Sequence, residues 1–308
     1  MSVVEIEVLN PGIQSTIQDL GRFGFAHLGI SSAGAADALS LRIGNRLVGN
    51  DDNAAAIEMT LVGASLRFLH ACTIALTGAE ITAGVVPMFE PVQVDAGFVL
   101  ECGPLRGGAR TYLAVNGGIA VPKILGSAST HLGAGFGGLQ GRALKRGDVL
   151  EVENKGGATR PASSALLRKI SQQRRTIHVT KGPQLRLFAE DTLERLCSSE
   201  YVVTEQSNRL GLRLAGPAVE PAARGELLTE GVSLGAIQIP PNGQPIVLFV
   251  DQQTTGGYPK LANVIAADMH CIGQLRPRDI VRFERVSIDE AIQFLRQQEY
   301  RLAEAFRE

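Results

Sequence analysis

The segment Asp251-Gln-Gln-Thr-Thr-Gly-Gly-Tyr-Pro-Lys260 concentrates more reactive chemistry than any other stretch of the chain. It follows the apolar run Ile246-Val-Leu-Phe-Val250, so an acid, amides, hydroxyls, glycines, a phenol and an amine open directly from a buried strand. Functional loops are often set on such a rigid base. Asp251 has the chemistry of a base or an orienting carboxylate, and Lys260 that of a proton donor or an anion clamp. Tyr258 stands between them as the third catalytic candidate. Gln253, Thr254, Thr255, Gly256 and Gly257 offer amide, hydroxyl and backbone groups to a substrate.

Two further segments combine polar groups with glycine. In Leu227–Pro241, Glu230 and Gln238 stand among apolar residues. A buried polar group without a partner costs a few kcal/mol, so each is either bonded to nearby backbone or turned toward a ligand. In Gln14–Asp37, the residues Ser31, Ser32, Gly34 and Asp37 lead into a helix. Hydroxyls and free N–H groups at a helix start suit an anion or a carbonyl, and Ser32 or Asp37 equally suits a simple helix cap.

The elements that must position these groups are mostly strands. Val3–Leu9 alternates, and Ala71–Leu76, Phe98–Leu100, Thr111–Val115, Thr176–Thr180 and Pro245–Val250 are short runs ended by turn residues or charge. Helices are expected from about Ala35 to Leu47, near Asp191–Leu196, and from the capping box Ser287-Ile-Asp-Glu290 onward. Beyond Gln298 that last helix is mostly charged and is expected on the surface. The polar stretch 156–175 reads as a linker between a domain at 1–155 and a second at 176–308, which ends in the terminal helix. With 35 glycines, no tryptophan and a core of Val, Ile, Leu and Ala, the expected class is mainly β with a few helices.

Composition and motifs exclude several functions. The formal charge of −1 gives no basic surplus for nucleic acid. The start MSVVEIEVLN has no signal-peptide pattern and no run reaches the ~20 apolar residues that span a bilayer, so the expectation is a cytoplasmic protein without a membrane partner. Cys72, Cys102, Cys197 and Cys271 form no CxxC pair, and five scattered histidines suggest no metal site. Gly133–Gly138 spells GxGxxG without the strand and helix that a dinucleotide site needs. There is no GxxxxGK[ST] for ATP and no GxSxG elbow.

A longer pattern runs through the same segments: PGIQSTIQDLGR, SAGAAD, ALTGAE, YLAVNGG, LGSAST, GRALKRGD, SNRLGLRL, TEGVSLGAIQIPPNGQPIVL, DQQTTGGYPK and QLRPRD, in that order. It resembles the allophanate hydrolase subunit 2 family of biotin-dependent carboxyltransferases. That family includes the carboxyltransferase portion of urea carboxylase, the sporulation-kinase regulator KipA and a component of ATP-dependent 5-oxoprolinase. Where this chain has Ser31, Ala36, Glu80, Gln252 and Arg278, the family commonly has Pro, Met, Asp, Arg and Gly.

The resemblance implies two cyclophilin-like β-barrel domains in tandem. It implies a part in the hydrolysis of 5-oxoproline to glutamate, with ATP used by the complex and not recognisably by this chain. The implied partners are an allophanate hydrolase subunit 1-like protein (the B subunit of 5-oxoprolinase) together with the A subunit of 5-oxoprolinase. Two alternatives stay open. One is carboxyl transfer to urea or another amide, with biotin supplied by another chain because no Met-Lys-Met site occurs here. The other is a KipA-like regulator without catalysis.

Overall fold

A computed structural model of the chain describes residues 4–81, 86–153, 157–220 and 227–307. The chain divides into two units. One comprises residues 1–22, 33–173 and 300–308, and the other residues 23–32 and 174–299. The protein is mainly β, as the glycine-rich composition predicts.

In the first unit the strands are β1 (Val4–Asn10), β2 (Gln14–Gln18), β3 (Ala56–Thr60), β4 (Val62–Phe68), β5 (Cys72–Ile81), β6 (Pro91–Val94), β7 (Val99–Val115) and β8 (Val149–Val152). They form one eight-stranded sheet ordered β2-β3-β7-β4-β1-β8, with β5 branching from β7 and β6 pairing with β5. This is a half-barrel, and among the described residues the second unit closes fully. The two short runs expected at Phe98–Leu100 and Thr111–Val115 are the ends of the single 17-residue strand β7. Gly103 and Gly107 adopt positive φ between them, so those glycines bend a continuous strand where the sequence suggests a break.

Helix α1 (Ala38–Leu47) buries Leu39, Ile43 and Leu47 on one face. It ends at Gly49, whose φ of +79° and close approach to the Ala158 carbonyl leave no room for a side chain. The stretch expected as a linker carries α2 (Ser164–Ile170), capped by Ser163, with Leu167 and Ile170 in the core of this unit.

In the second unit β9 (Thr176–Lys181), β10 (Tyr201–Val203), β11 (Gly211–Ala215), β13 (Ala236–Gln238), β14 (Ile246–Leu248), β16 (Lys260–Val264) and β17 (Ile280–Arg285) close a barrel in the order β10-β11-β14-β13-β16-β9-β17. Leu212, Leu214, Val247, Leu261 and Phe283 fill it, while the alternating Arg213 points outward to solvent. A separate two-stranded ribbon joins β12 (Glu230–Gly231) to β15 (Thr255–Gly256). Helices α3 (Thr192–Ser198) and α4 (Met269–Gln274) complete the barrel unit.

Helix α5 (Ile288–Glu304) starts at the expected capping box. The Ser287 backbone N–H donates to Glu290 at 2.8 Å, and the Glu290 N–H donates to the Ser287 hydroxyl at 3.2 Å. Its charged end does not lie wholly on the surface, because Leu302 and Ala305 are buried in the first unit's core.

Candidate functional site

The barrel strands bring Gln238 and Lys260 side by side. They are register partners between β13 and β16, at a bulge that follows Ile237. Directly opposite residues in such a pair project to the same face, and bulges commonly re-aim side chains beside functional sites. Both are almost fully buried, at 1% and 3% exposure. The β12–β15 ribbon lies against them, with Glu230 and Gly256 paired across it.

The Lys260 ammonium bonds to Glu230, and the Gln184 amide donates to the same carboxylate oxygen. Gln184 also accepts from the Lys260 backbone N–H at 3.2 Å, so one side chain ties the lysine strand to the ribbon. The ammonium beside Glu230 holds that carboxyl below its ordinary 4.5, with Gln184 assisting and desolvation opposing.

Gln238 is the anomaly. Its amide Nε2 is buried without a hydrogen-bond partner among the described residues. A Cβ on Gly256 would lie only 2.6 Å from that nitrogen. The glycine thus lets the ribbon backbone pack closely against an unused donor. Burying such a donor costs about 1–3 kcal/mol, which a hydrogen-bond acceptor in a ligand would offset. An amide and an ammonium on one buried face suit a carbonyl or carboxylate oxygen, especially one gaining negative charge.

The remaining candidates from the sequence fall in different places. Asp251 is 4% exposed and forms a two-point ion pair with Arg209, at 2.8 Å to Nε and 3.0 Å to a terminal nitrogen. Its backbone N–H also donates to the Arg209 carbonyl at 2.9 Å. This geometry is that of an orienting carboxylate that fixes the start of the loop. Gln253 is exposed, with its amide nitrogen 3.1 Å from the same virtual Cβ on Gly256. The Thr254 carbonyl accepts from Val232, Thr255 sits exposed on the ribbon, and Gly257 is half-buried. Tyr258 is 42% exposed and lines a cleft of about 490 Å³ on the barrel. The three catalytic candidates therefore do not converge: Lys260 meets Glu230, Asp251 meets Arg209, and Tyr258 stands in the cleft.

Ser31 and Ser32 belong to the barrel unit, whereas Gly34 and Asp37 belong to the other. Asp37 is fully buried and caps α1, accepting from the Ser40 N–H at 2.9 Å and the Ser40 hydroxyl at 2.6 Å. Its own N–H donates to the Tyr112 hydroxyl at 2.7 Å, which donates in turn to Glu58 at 2.7 Å. Burial, then the Glu58 charge, pushes the Tyr112 phenol well above 10. The geometry of Asp37 is that of a cap, so a negative side chain already occupies the helix start where an anion would bind.

Sequence reasoning missed Gln184 and Arg209. Arg209 lies within SNRLGLRL, 42 residues before Asp251; an acid placed directly after IVLFV signals that a cation must neutralise it but not which one. Gln184 has no comparable signal, because its role depends on the β9–β16 pairing. Among the described residues no cluster of three or more His, Cys, Asp or Glu could hold a metal ion, and no helix is long and apolar enough to cross a membrane.

Comparison with known proteins agrees with this architecture. Residues 28–285 match the family described as carboxyltransferase domain, subdomain A and B. The chain is 38% identical over 298 residues to the C subunit of 5-oxoprolinase from Haemophilus influenzae, covering 96% of this chain and 95% of that one. It is 40% identical over 291 residues to the C subunit of 5-oxoprolinase from Escherichia coli, covering 93% of each. It also resembles the urea amidolyase of Saccharomyces cerevisiae at 36% identity, covering 93% of this chain but 17% of that larger protein. The crystal structure of the Kluyveromyces lactis urea amidolyase superposes with a TM-score of 0.91 at 32% identity, over 97% of this chain and 20% of that one. With a family match over most of its length and two near-full-length relatives, the chain belongs to the carboxyltransferase domain family, subdomains A and B.

Proposed function

We propose that this chain is the C subunit of an ATP-dependent 5-oxoprolinase, where it supplies a carbonyl-binding pocket on its barrel unit. The observation that carries the reading is the unused Gln238 amide beside Lys260, in front of Gly256. Its support beyond the site is near-full-length likeness to two proteins named as the C subunit of 5-oxoprolinase.

The lactam of 5-oxoproline is a poor electrophile, because nitrogen donates into the carbonyl. Gln238 and Lys260 would each donate a hydrogen bond to the lactam oxygen and stabilise the negative charge that grows there when water adds to the carbonyl carbon, before the ring C–N bond breaks and its nitrogen takes up a proton. Donors held rigidly before the reaction need little reorganisation, and removing one typically lowers turnover by about 10²–10³-fold. Glu230 and Gln184 hold the ammonium in place, while Arg209 holds Asp251 and thereby the loop between β14 and β15.

The residues described include no ATP site of the P-loop type. The chain has no glycine-rich loop of the P-loop type, and the start of α1 is already capped by the Asp37 carboxylate. Use of ATP is therefore assigned to the partner subunits, and this chain's part is to bind and polarise the lactam. The likeness to urea amidolyase supports a second reading, in which the same donors polarise an amide that receives a carboxyl group from biotin on another chain.

A genetic test separates the two. A strain lacking its own 5-oxoprolinase is supplied with the gene for this chain and those for its A and B partners. Growth on 5-oxoproline as sole nitrogen source should require this chain. Growth without it would overturn the proposal, and a requirement for biotin would favour the second reading.

A further inference from the structure

The register of the barrel links the buried pair to the open cleft. Arg213 pairs with Ile246, Ile246 with Gln238, and Gln238 with Lys260, so one row crosses β11, β14, β13 and β16. Side chains directly opposite in antiparallel strands share a face. Arg213 and Ile246 line the cleft of about 490 Å³, while the β12–β15 ribbon lies against Gln238 and Lys260. The cleft and the buried donors thus lie along one row of the barrel, with the ribbon covering the donor end. A volume of this size falls in the range of small-molecule sites.

Charge at the open end is one-sided. Arg213 is the sole charged residue among those lining the cleft. It is exposed and pairs with no carboxylate among the described residues. The Thr204 hydroxyl at the same end is buried without a partner among them. The Gln244 amide is occupied, donating to the Gly216 carbonyl at 3.2 Å and accepting from the Gly216 N–H at 3.0 Å. The wall otherwise consists of Pro240, Pro241, Pro245 and other uncharged groups, together with Tyr258. A cleft with one cation and no anion selects a ligand of single negative charge. An arginine fork suits a planar carboxylate.

We propose that the cleft is a carboxylate subsite and that Arg213 is the residue that selects carboxylate-bearing lactams over neutral ones. This rests on the pocket reading above, with the ring carbonyl at Gln238 and Lys260. Two strand spacings of ~4.8 Å separate the Arg213 and Gln238 backbones. A small ring with an attached carboxylate covers that span once the arginine side chain leans toward it. Thr204 donates the second hydrogen bond to the carboxylate.

Equilibrium binding tests this without turnover. The probes are 5-oxoproline, its neutral carboxamide and 2-pyrrolidinone, titrated into the full chain and into the chain assembled with its partners. The wild type should bind 5-oxoproline about 10-fold or more tightly than either neutral lactam, as expected for a charge-assisted hydrogen bond. Arg213→Gln should bring 5-oxoproline down to the affinity of the carboxamide and leave the two neutral lactams unchanged. Arg213→Lys, which keeps the charge but loses the fork, should restore part of the preference. Arg213 is exposed, so circular dichroism and melting should be unaffected.

Equal affinity for charged and neutral lactams in the wild type would overturn the proposal. So would a preference that survives Arg213→Gln, or absence of 5-oxoproline binding in both preparations. Failure of glutamate formation would count against the proposed reaction, whereas carboxylate discrimination is read here from affinity alone.

Discussion

Gly256→Ala probes the pocket with one methyl group. Gly256 does not occupy the left-handed region of backbone space, so alanine is allowed there conformationally. The added Cβ would meet the Gln238 amide nitrogen at 2.6 Å, the Gln253 amide nitrogen at 3.1 Å and Val232 Cγ1 at 3.3 Å. Ordinary contact begins near 3.5 Å, so the Gln238 amide must retreat by roughly 1 Å. The clashing atom is the far end of a flexible side chain, and the cost to the fold should stay at about 1–2 kcal/mol. The cost to function should be larger, because the methyl group moves the donor itself. A misplacement of this size can lower turnover by about 10²-fold. The assay is ATP-dependent glutamate formation by the assembled complex, with a thermal melt of the same variant. A folded Gly256→Ala protein with wild-type kcat/KM would refute the assignment of this pocket to the reaction.

Four further outcomes are expected. Lys260→Met should lower kcat by about 10²–10³-fold with little change in melting temperature, since the partner it leaves is exposed; a wild-type kcat would remove Lys260 from the chemistry. Arg209→Met should destabilise the barrel by about 3–5 kcal/mol in chemical denaturation, because it leaves the buried Asp251 charge unpaired, and the double variant Arg209→Met with Asp251→Leu should recover much of that loss. For Glu230 the folded carboxyl titrates below its ordinary 4.5, so its stabilising contribution is complete above that pH and is lost as pH falls through the lower folded value. The melting difference between wild type and Glu230→Gln should therefore hold steady from pH 7 to about 5 and disappear only in stronger acid; a difference that fades already between pH 7 and 6 would contradict the depressed carboxyl. Leu302→Ala should cost about 2–5 kcal/mol in denaturant unfolding, and a cost near zero would return the end of α5 to the surface.

Local signals gave the fold class and several element boundaries. The spacing of Leu39, Ile43 and Leu47 identifies α1 to within three residues at its start, and Ser287 with Glu290 marks the start of α5 correctly. What was not legible depends on contacts far apart in sequence. The end of α5 reads as charged, yet Leu302 and Ala305 are buried in the first unit's core with Phe306 packed against it. β7 looks like two strands because its glycines serve both as bends and as turn signals.

The site divides in the same way. Glu230, Gln238, Gly256 and Lys260 stand out in the sequence as polar or glycine positions beside apolar strands. Their convergence follows from the β13–β16 register and the β12–β15 ribbon, which no periodicity in the sequence encodes. Asp251 looks like a free acid until Arg209, 42 residues earlier, is placed against it.

The most direct measurement is glutamate release from 5-oxoproline and ATP by the proposed A and B partners, compared with this chain added, omitted, or replaced by its Lys260→Met form. Release that appears only with the wild-type chain, and falls at least 100-fold with the Lys260→Met form bound in the same complex, is the expected result. Equal release with the chain omitted, or full release with Lys260→Met, would contradict the assignment of this chain as a component whose barrel pocket polarises the lactam.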